Sequence, residues 1–232
     1  MVADGENKRA LVVAAHPDDA DFGAGGTATL WTREGWEFYF LVCTDGSKGT
    51  SDPEMTSERL VPMRRQEQRA AAEVYGVKDC FFLDHVDGEL TVHRRLLGEI
   101  VRHIRMIQPS AVFTHSIDVF HRNAFINHSD HRAVGQTTID AVYPTARDFL
   151  NFPEQIAEGL QTCKVRELYL WGATDSNFDV DISDVVETKV DGLMKHASQF
   201  GQREDFMQFV RERWRDESGR FLERFQKITM LR

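Results

Sequence analysis

With 232 residues, 41% of them hydrophobic, the chain can bury a substantial core and sits near the upper end of what one domain holds, so a single domain over 1–232 is expected. A formal net charge of −9 argues against a surface built to neutralise nucleic-acid phosphates, and no run is apolar for long enough to span a bilayer. The stretch from Met1 to Arg9 is polar and the apolar run after it is short, which does not read as a signal peptide. Cys43, Cys80 and Cys163 are odd in number and widely spaced, which reads as reduced core thiols in a cytoplasmic protein.

In chain order, Arg9 to Ala15 is a continuous apolar run ending at His16, as expected of a strand covered on both faces. Helical spacing from Phe22 to Arg33 leads to a strand at Phe38 to Thr44, and a helix is predicted from Pro62 to Tyr75, closed by Gly76. Strands at Cys80 to Leu83 and Ala111 to Thr114 flank an amphipathic helix from Leu90 to Ile107. A further helix starts close to His128 and runs past Ala141, with Pro144 at its far end. Strands at Glu167 to Trp171 and Phe178 to Asp181 precede predicted helices from Asp184 to Phe200 and from Glu204 to about Lys227. The alternation predicts an α/β fold: a doubly wound, mostly parallel, Rossmann-like sheet with helices on both faces and ligands at the carboxyl ends of its strands. His16, Asp45 and His115 fall at such ends.

Two clusters carry the chemistry. In His16-Pro17-Asp18-Asp19 the histidine and Asp19 are three positions apart and can reach one metal ion, while Asp18 can sit over a metal-bound water without being a ligand. The bland alternative is a helix-capping loop, but Asp21 could supply that cap. In His128-Ser129-Asp130-His131 two imidazoles share one helical face, although the same residues also suit an ordinary helix start. Together the clusters supply the two-histidine, one-carboxylate set of catalytic zinc sites, which leaves a position open for water.

At these residues the sequence resembles the zinc-dependent N-acetylglucosaminyl deacetylases of the PIG-L or LmbE-like family. The marks are AHPDD at Ala15 to Asp19, TDGSKG at Thr44 to Gly49, RRQEQRAAA from Arg64, HSDHRAVG at His128 to Gly135, and Lys189 followed by HASQ at His196 to Gln199. The resemblance implies His16, Asp19 and His131 as ligands of Zn2+, with another divalent metal such as Fe2+ as the variant. It implies Asp18 as general base, His128 as oxyanion stabiliser and Arg64 as a substrate-binding residue, with Asp130 orienting His128 and favouring its charged form. It also implies a homo-oligomer. Ser129 stands where family members often have proline. Ile126 stands where some thiol-biosynthesis deacetylases place a tyrosine, which argues against a mycothiol-type substrate. His115, His121 and His196 stay unassigned, and the segment Ser116 to Asn127 is expected on the substrate rim.

The implied function is removal of an N-acetyl group from an N-acetylglucosamine-containing small molecule or glycoconjugate, with an amidase acting on a mycothiol- or bacillithiol-type thiol conjugate as the nearest variant. Two other classes compete: a metal-dependent phosphohydrolase and a nucleotide-binding module. The second is prompted by Gly23, Gly25 and Gly26, whose spacing misses the dinucleotide fingerprint and suits close helix packing.

Overall fold

The computed structural model describes residues 7–121, 125–201 and 204–230. Strand and helix alternate through β1 (Arg9–Ala14), α1 (Asp19–Arg33), β2 (Glu37–Thr44), α2 (Ser57–Val74), β3 (Asp79–His85), α3 (Arg94–Ile107) and β4 (Ala111–His115). A small hairpin of β5 (Phe120–His121) and β6 (Phe125–Ile126) leads to α4 (Ser129–Val142) and α5 (Pro153–Ala157). Then follow β7 (Glu167–Trp171), β8 (Phe178–Asp181), α6 (Val186–Leu193), α7 (Ala197–Phe200), α8 (Glu204–Trp214) and β9 (Leu222–Thr229).

Seven strands form one sheet in the order β3-β2-β1-β4-β7-β9-β8. The first five run parallel, and β9 is antiparallel to both of its neighbours. β1 lies in the middle of the five parallel strands. Ala10, Val12 and Ala14 face α1 and α2 through Ala20, Ala24 and Ala71, while Leu11 and Val13 face α3 and α4 through Leu96, Ile100 and Val134. Burial on both faces removes any reason for polar alternation, so this strand reads as an unbroken apolar run. Helices therefore cover both faces of a doubly wound, mostly parallel sheet, as the sequence predicts.

The chain winds outward from β1 to β2 and β3, then returns through α3 to place β4 on the other side of β1. The order reverses between β1 and β4, and a crevice opens there at the carboxyl ends. Glycines let α1 pack close to this edge: a Cβ on Gly23 would lie 2.4 Å from the Trp171 ring, and one on Gly26 would lie 2.8 Å from Ile182. Their use is packing, as expected.

The last third departs from the sequence reading. The helix expected to about Lys227 ends at Trp214, and the rest returns as β9 inside the sheet. Phe221, Phe225 and Ile228 are spaced like a helical stripe, yet Phe225 joins the core on the α1 side and Ile228 packs on the α3–α4 side. A strand buried on both faces gives that ambiguous pattern. The stop signal is the turn at Asp216, whose carboxylate accepts from the backbone N–H groups of Ser218 and Arg220, followed by Gly219 at φ +87°. The helix expected over 184–200 is broken into a 3-10 turn at Ser183–Val185, α6 and α7. α2 starts earlier than expected, at Ser57, and α3 starts later, at Arg94, leaving the segment around Gly88 and Leu90 free to serve the crevice. Among the described residues no helix is long and apolar enough to cross a membrane.

Candidate metal centre

The two clusters meet in the crevice. His16 follows β1 and Asp19 opens α1, while His131 lies in the first turn of α4. His16 Nδ1 is 3.2 Å from Asp19 Oδ2 and 3.2 Å from His131 Nε2, and His131 Nε2 is 3.2 Å from Asp19 Oδ1. Donors about 2.0–2.1 Å from one tetrahedral zinc would stand about 3.3–3.4 Å apart, close to the 3.2 Å between the two imidazole nitrogens and from each of them to one oxygen of the Asp19 carboxylate.

The outward nitrogens are also partnered as metal-ligating imidazoles require. His131 Nδ1 lies 3.2 Å from Asn127 Oδ1, and His16 Nε2 lies 3.2 Å from Asp130 Oδ2 and 3.1 Å from Asp87 Oδ1. An oxygen acceptor on the far nitrogen fixes the proton there and leaves the lone pair of His16 Nδ1 and His131 Nε2 facing the centre. The donor set thus fits a divalent cation. Burial works against a charged His16, but Asp130, Asp19 and Asp87 outweigh it and push its pKa up to about 12. Asp19 is held well below the usual carboxylate range: burial opposes this, and the charges of His131 and His115 override it. Both shifts express one demand, a positive charge among these carboxylates, which a metal ion meets directly.

Asp18 stands beside the triangle and belongs to none of the groups able to share an ion. Its backbone is left-handed at φ 107°, a strained conformation for a residue other than glycine. Two buried side chains of α2 hold it there. Gln68 Oε1 accepts from Asp18 N at 2.7 Å, and the Arg64 guanidinium donates to Pro17 O at 2.6 Å, Gly46 O at 3.0 Å and Asp18 Oδ2 at 3.2 Å. Burial and the adjacent Asp19 push the Asp18 pKa up to about 6, against the pull of Arg64. Arg64 is therefore not a solvent-facing helix residue: at 3% exposure it lies under Asp18, bonded to that carboxylate and to the backbone of Pro17 and Gly46.

The expected partnership of Asp130 with His128 takes another form. The Asp130 carboxylate is fully buried and accepts from Gly88 N at 2.7 Å and Leu90 N at 3.2 Å besides touching His16. Of Asp130 it is the backbone that meets the His128 ring, its N–H donating to Nδ1 at 3.2 Å. Burial and the neighbouring His16 lower the His128 pKa, so the charged form is disfavoured, contrary to expectation. Accepting at Nδ1 puts the proton on Nε2, and a neutral donor ring results.

Asp87 was not singled out by the sequence reading, although it follows β3 at a carboxyl end and precedes Gly88 in a turn signal. Lys48 N donates to its Oδ2 and its own N–H donates to Asp45 Oδ1, so the loops after β2 and β3 fix its place against His16. Asp45 is thus a loop organiser. His115 is buried; its Nε2 accepts from Ala15 N at 3.1 Å and lies 3.5 Å from Asp19 Oδ2, and with Asp19 and His131 it makes up another group able to share an ion. Burial and the charge of His131 lower its pKa to about 3. His196 is buried, 3.4 Å from Asp21. Arg122 and the His121 side chain lie outside the described residues.

Comparison with known proteins agrees with this geometry. The model of the PIG-L family, GlcNAc-PI de-N-acetylase, matches residues 11–142, more than half of the chain. A diacetylchitobiose deacetylase of Thermococcus kodakarensis is 35% identical over 193 residues, 83% of this chain and 70% of that protein. A 4-oxalmesaconate hydratase of Pseudomonas putida is 33% identical over 115 residues, 47% of this chain and 44% of the hydratase. The solved structure of the N,N'-diacetylchitobiose deacetylase of Pyrococcus horikoshii with an inhibitor bound superposes with a TM-score of 0.86 at 27% identity, covering 96% of this chain and 84% of that one. The family match spans β1 to the end of α4, which contains His16, Asp18, Asp19, Asp87, His128 and His131, and the chain belongs to the PIG-L family of N-deacetylases.

Proposed function

We propose that this protein is a zinc-dependent hydrolase that removes the N-acetyl group from an N-acetylglucosamine-containing small molecule or glycoconjugate. The observation that carries the proposal is the position of Asp18, beside the His16–Asp19–His131 triangle yet outside every metal-capable group. Amide hydrolysis needs such a carboxylate, near the metal and free to move a proton. Two imidazoles and one carboxylate with an open position form a zinc set, and Fe2+ shares that donor preference. The name of the Thermococcus kodakarensis relative makes diacetylchitobiose the first substrate to try. The buried free thiols of Cys43, Cys80 and Cys163 support a reducing, cytoplasmic setting.

When bound, the metal lowers the pKa of water toward roughly 7 and polarises the amide carbonyl. Asp18 takes one proton from the attacking water and returns it to the amide nitrogen as the carbon–nitrogen bond breaks, and the acid's remaining proton passes to the departing amine, leaving acetate and the ammonium form of the amine. Arg64 fixes Asp18 Oδ2 during both transfers. A ring nitrogen of His128 lies within 4.8 Å of those of His16 and His131, from where a neutral Nε2–H donates to the carbonyl oxygen as negative charge builds. Asp130 and Asp87 hold His16 in orientation.

The test is a panel of N-acetylglucosaminides, thiol-conjugate amides and phosphate esters offered to zinc-loaded protein, with free amine and acetate both quantified. Equal release of the two from at least one N-acetylglucosaminide, abolished in Asp18→Asn, is the expected result. Cleavage confined to thiol conjugates or phosphate esters would replace the proposal, and no release of amine from any amide would sink it.

A further inference from the structure

A second chamber adjoins the metal centre. It is partly open to solvent, has a volume of about 530 Å³ and reaches Asp19 and His131, whereas Asp18, Arg64, Asp87 and His128 take no part in lining it. The carboxylates, the base and the oxyanion donor therefore stand off one flank of the ligand triangle, and the chamber opens at its Asp19–His131 edge. An amide bound between them has two substituents to place, a polyhydroxylated amine and an acyl chain.

The walls favour the acyl chain. The His131 ring stacks on His115 at 4.1 Å between centroids, His115 abuts Trp171 at 4.6 Å, and Phe22 stacks on Trp214 at 6.0 Å, so aromatic surface extends outward from the ligand itself. Ala173 and Leu222 fill in between, and Phe209 is exposed. The polar groups in the deep wall are already spent. Glu223 accepts from Gly26 N at 2.8 Å and Thr27 N at 2.7 Å and pairs with Lys189, and His115 Nε2 accepts from Ala15 N. A sugar pressed against this deep wall would leave hydroxyls without partners there, whereas an alkyl or aryl chain would not. Arg213, exposed, and Arg224, half-buried, complete the lining. A water takes up roughly 30 Å³ and an acetyl methyl is of similar size, so acetyl leaves most of the chamber unused.

We propose that this chamber is an acyl subsite: Phe22, Trp171, Ala173, Phe209, Trp214 and Leu222 receive the acyl substituent of the scissile amide, and the enzyme cleaves N-acyl groups longer than acetyl. The inference rests on the amide-hydrolase reading above. Acetyl remains a substrate, because an apolar pocket rejects a shorter chain only weakly.

The experiment compares N-acetyl-, N-butyryl-, N-hexanoyl- and N-phenylacetylglucosamine with zinc-loaded enzyme, reading free amine, and measures inhibition by acetate against hexanoate. Each methylene that enters should lower KM about fourfold, the order of a buried methylene, and hexanoate should inhibit at least tenfold more tightly than acetate. Ala173→Leu, which narrows the chamber, should reduce the hexanoyl-to-acetyl ratio of kcat/KM at least tenfold. A hundredfold fall in kcat/KM from acetyl to butyryl would overturn the assignment. So would equal inhibition by the two acids, or an Ala173→Leu effect confined to the choice between mono- and disaccharide. If no N-acyl compound is cleaved, the hydrolase reading fails on its own, while calorimetric binding of hexanoate against acetate to the zinc-loaded protein still decides whether the chamber takes a chain.

Discussion

Asp130 reaches from the first turn of α4 to the far nitrogen of His16, Oδ2 to Nε2 at 3.2 Å, and so ties the second histidine cluster to the first through the back of an imidazole. The same carboxylate gathers Gly88 N and Leu90 N, which couples the loop after β3 to the position of His16, a proposed metal ligand. Removing it should cost metal affinity before it costs anything else. Asp130→Asn is expected to weaken zinc binding about 10- to 100-fold, the range typical of such supporting partners. Competition with a chromophoric chelator measures this, and unchanged affinity would show that Asp130 serves only the loop.

Asp18→Asn keeps the size of the side chain and removes its basicity. With zinc content unchanged, kcat should fall by about 10²- to 10⁴-fold. Arg64→Met should also lower kcat, with KM less affected, because the guanidinium bonds Asp18 and the loop backbone rather than facing outward. A rise confined to KM in Arg64→Met would restore a direct contact with substrate.

His128→Ala removes a donor aimed at the developing oxyanion. The expected loss is about 10²- to 10³-fold in kcat with the metal retained. Loss of zinc in this variant would instead make His128 a ligand, since it shares a metal-capable group with His16 and His131.

The buried pair of Lys189 and Glu223 joins α6 to β9, with the ammonium also donating to Phe22 O at 2.8 Å and lying 3.9 Å from the Trp214 ring. Both side chains are at most 1% exposed. Lys189→Met leaves Glu223 buried without its cation and should destabilise the fold by about 3–5 kcal/mol in denaturant unfolding. The double variant Lys189→Met, Glu223→Gln should recover part of that loss. Additive losses would show that the two do not act as a pair.

Glu167 on β7 meets Lys227 of β9 at 2.7 Å and accepts from the Tyr169 hydroxyl at 2.6 Å. Burial raises its pKa, but the bonds from Lys227 and Tyr169 outweigh it and hold the carboxyl below its usual value. A carboxylate depressed in the folded state contributes stability above the unfolded pKa of about 4.5 and loses it as pH falls through the folded value. Glu167→Gln should therefore lose less stability than the native chain between pH 6 and pH 3. Parallel acid profiles would contradict the pairing.

The sequence makes most of the sheet and the candidate metal ligands legible for a common reason: both are local. β1, β2 and β4 are apolar runs, and His16 to Asp19 and His128 to His131 are each four residues long. What escapes the sequence depends on distant partners. Asp87 reads as a turn residue until β3 is laid beside β2 and its carboxylate reaches His16. Asp130 could be assigned to the nearer His128 because nothing in the chain shows that Gly88 and Leu90 arrive from the other side. β9 passes for a helix because a strand covered on both faces has no period of its own. The aromatic chamber joins residues from α1, β7, α8 and β9, none of which forms a motif alone.

The most direct test of the proposed centre is acetate release from diacetylchitobiose as zinc is returned stepwise to chelated protein. Activity should be absent without metal, rise linearly and level off at about one equivalent, with no recovery in His16→Ala at the same zinc. Acetate released at an undiminished rate by metal-free protein, or none released with one equivalent bound, would contradict it.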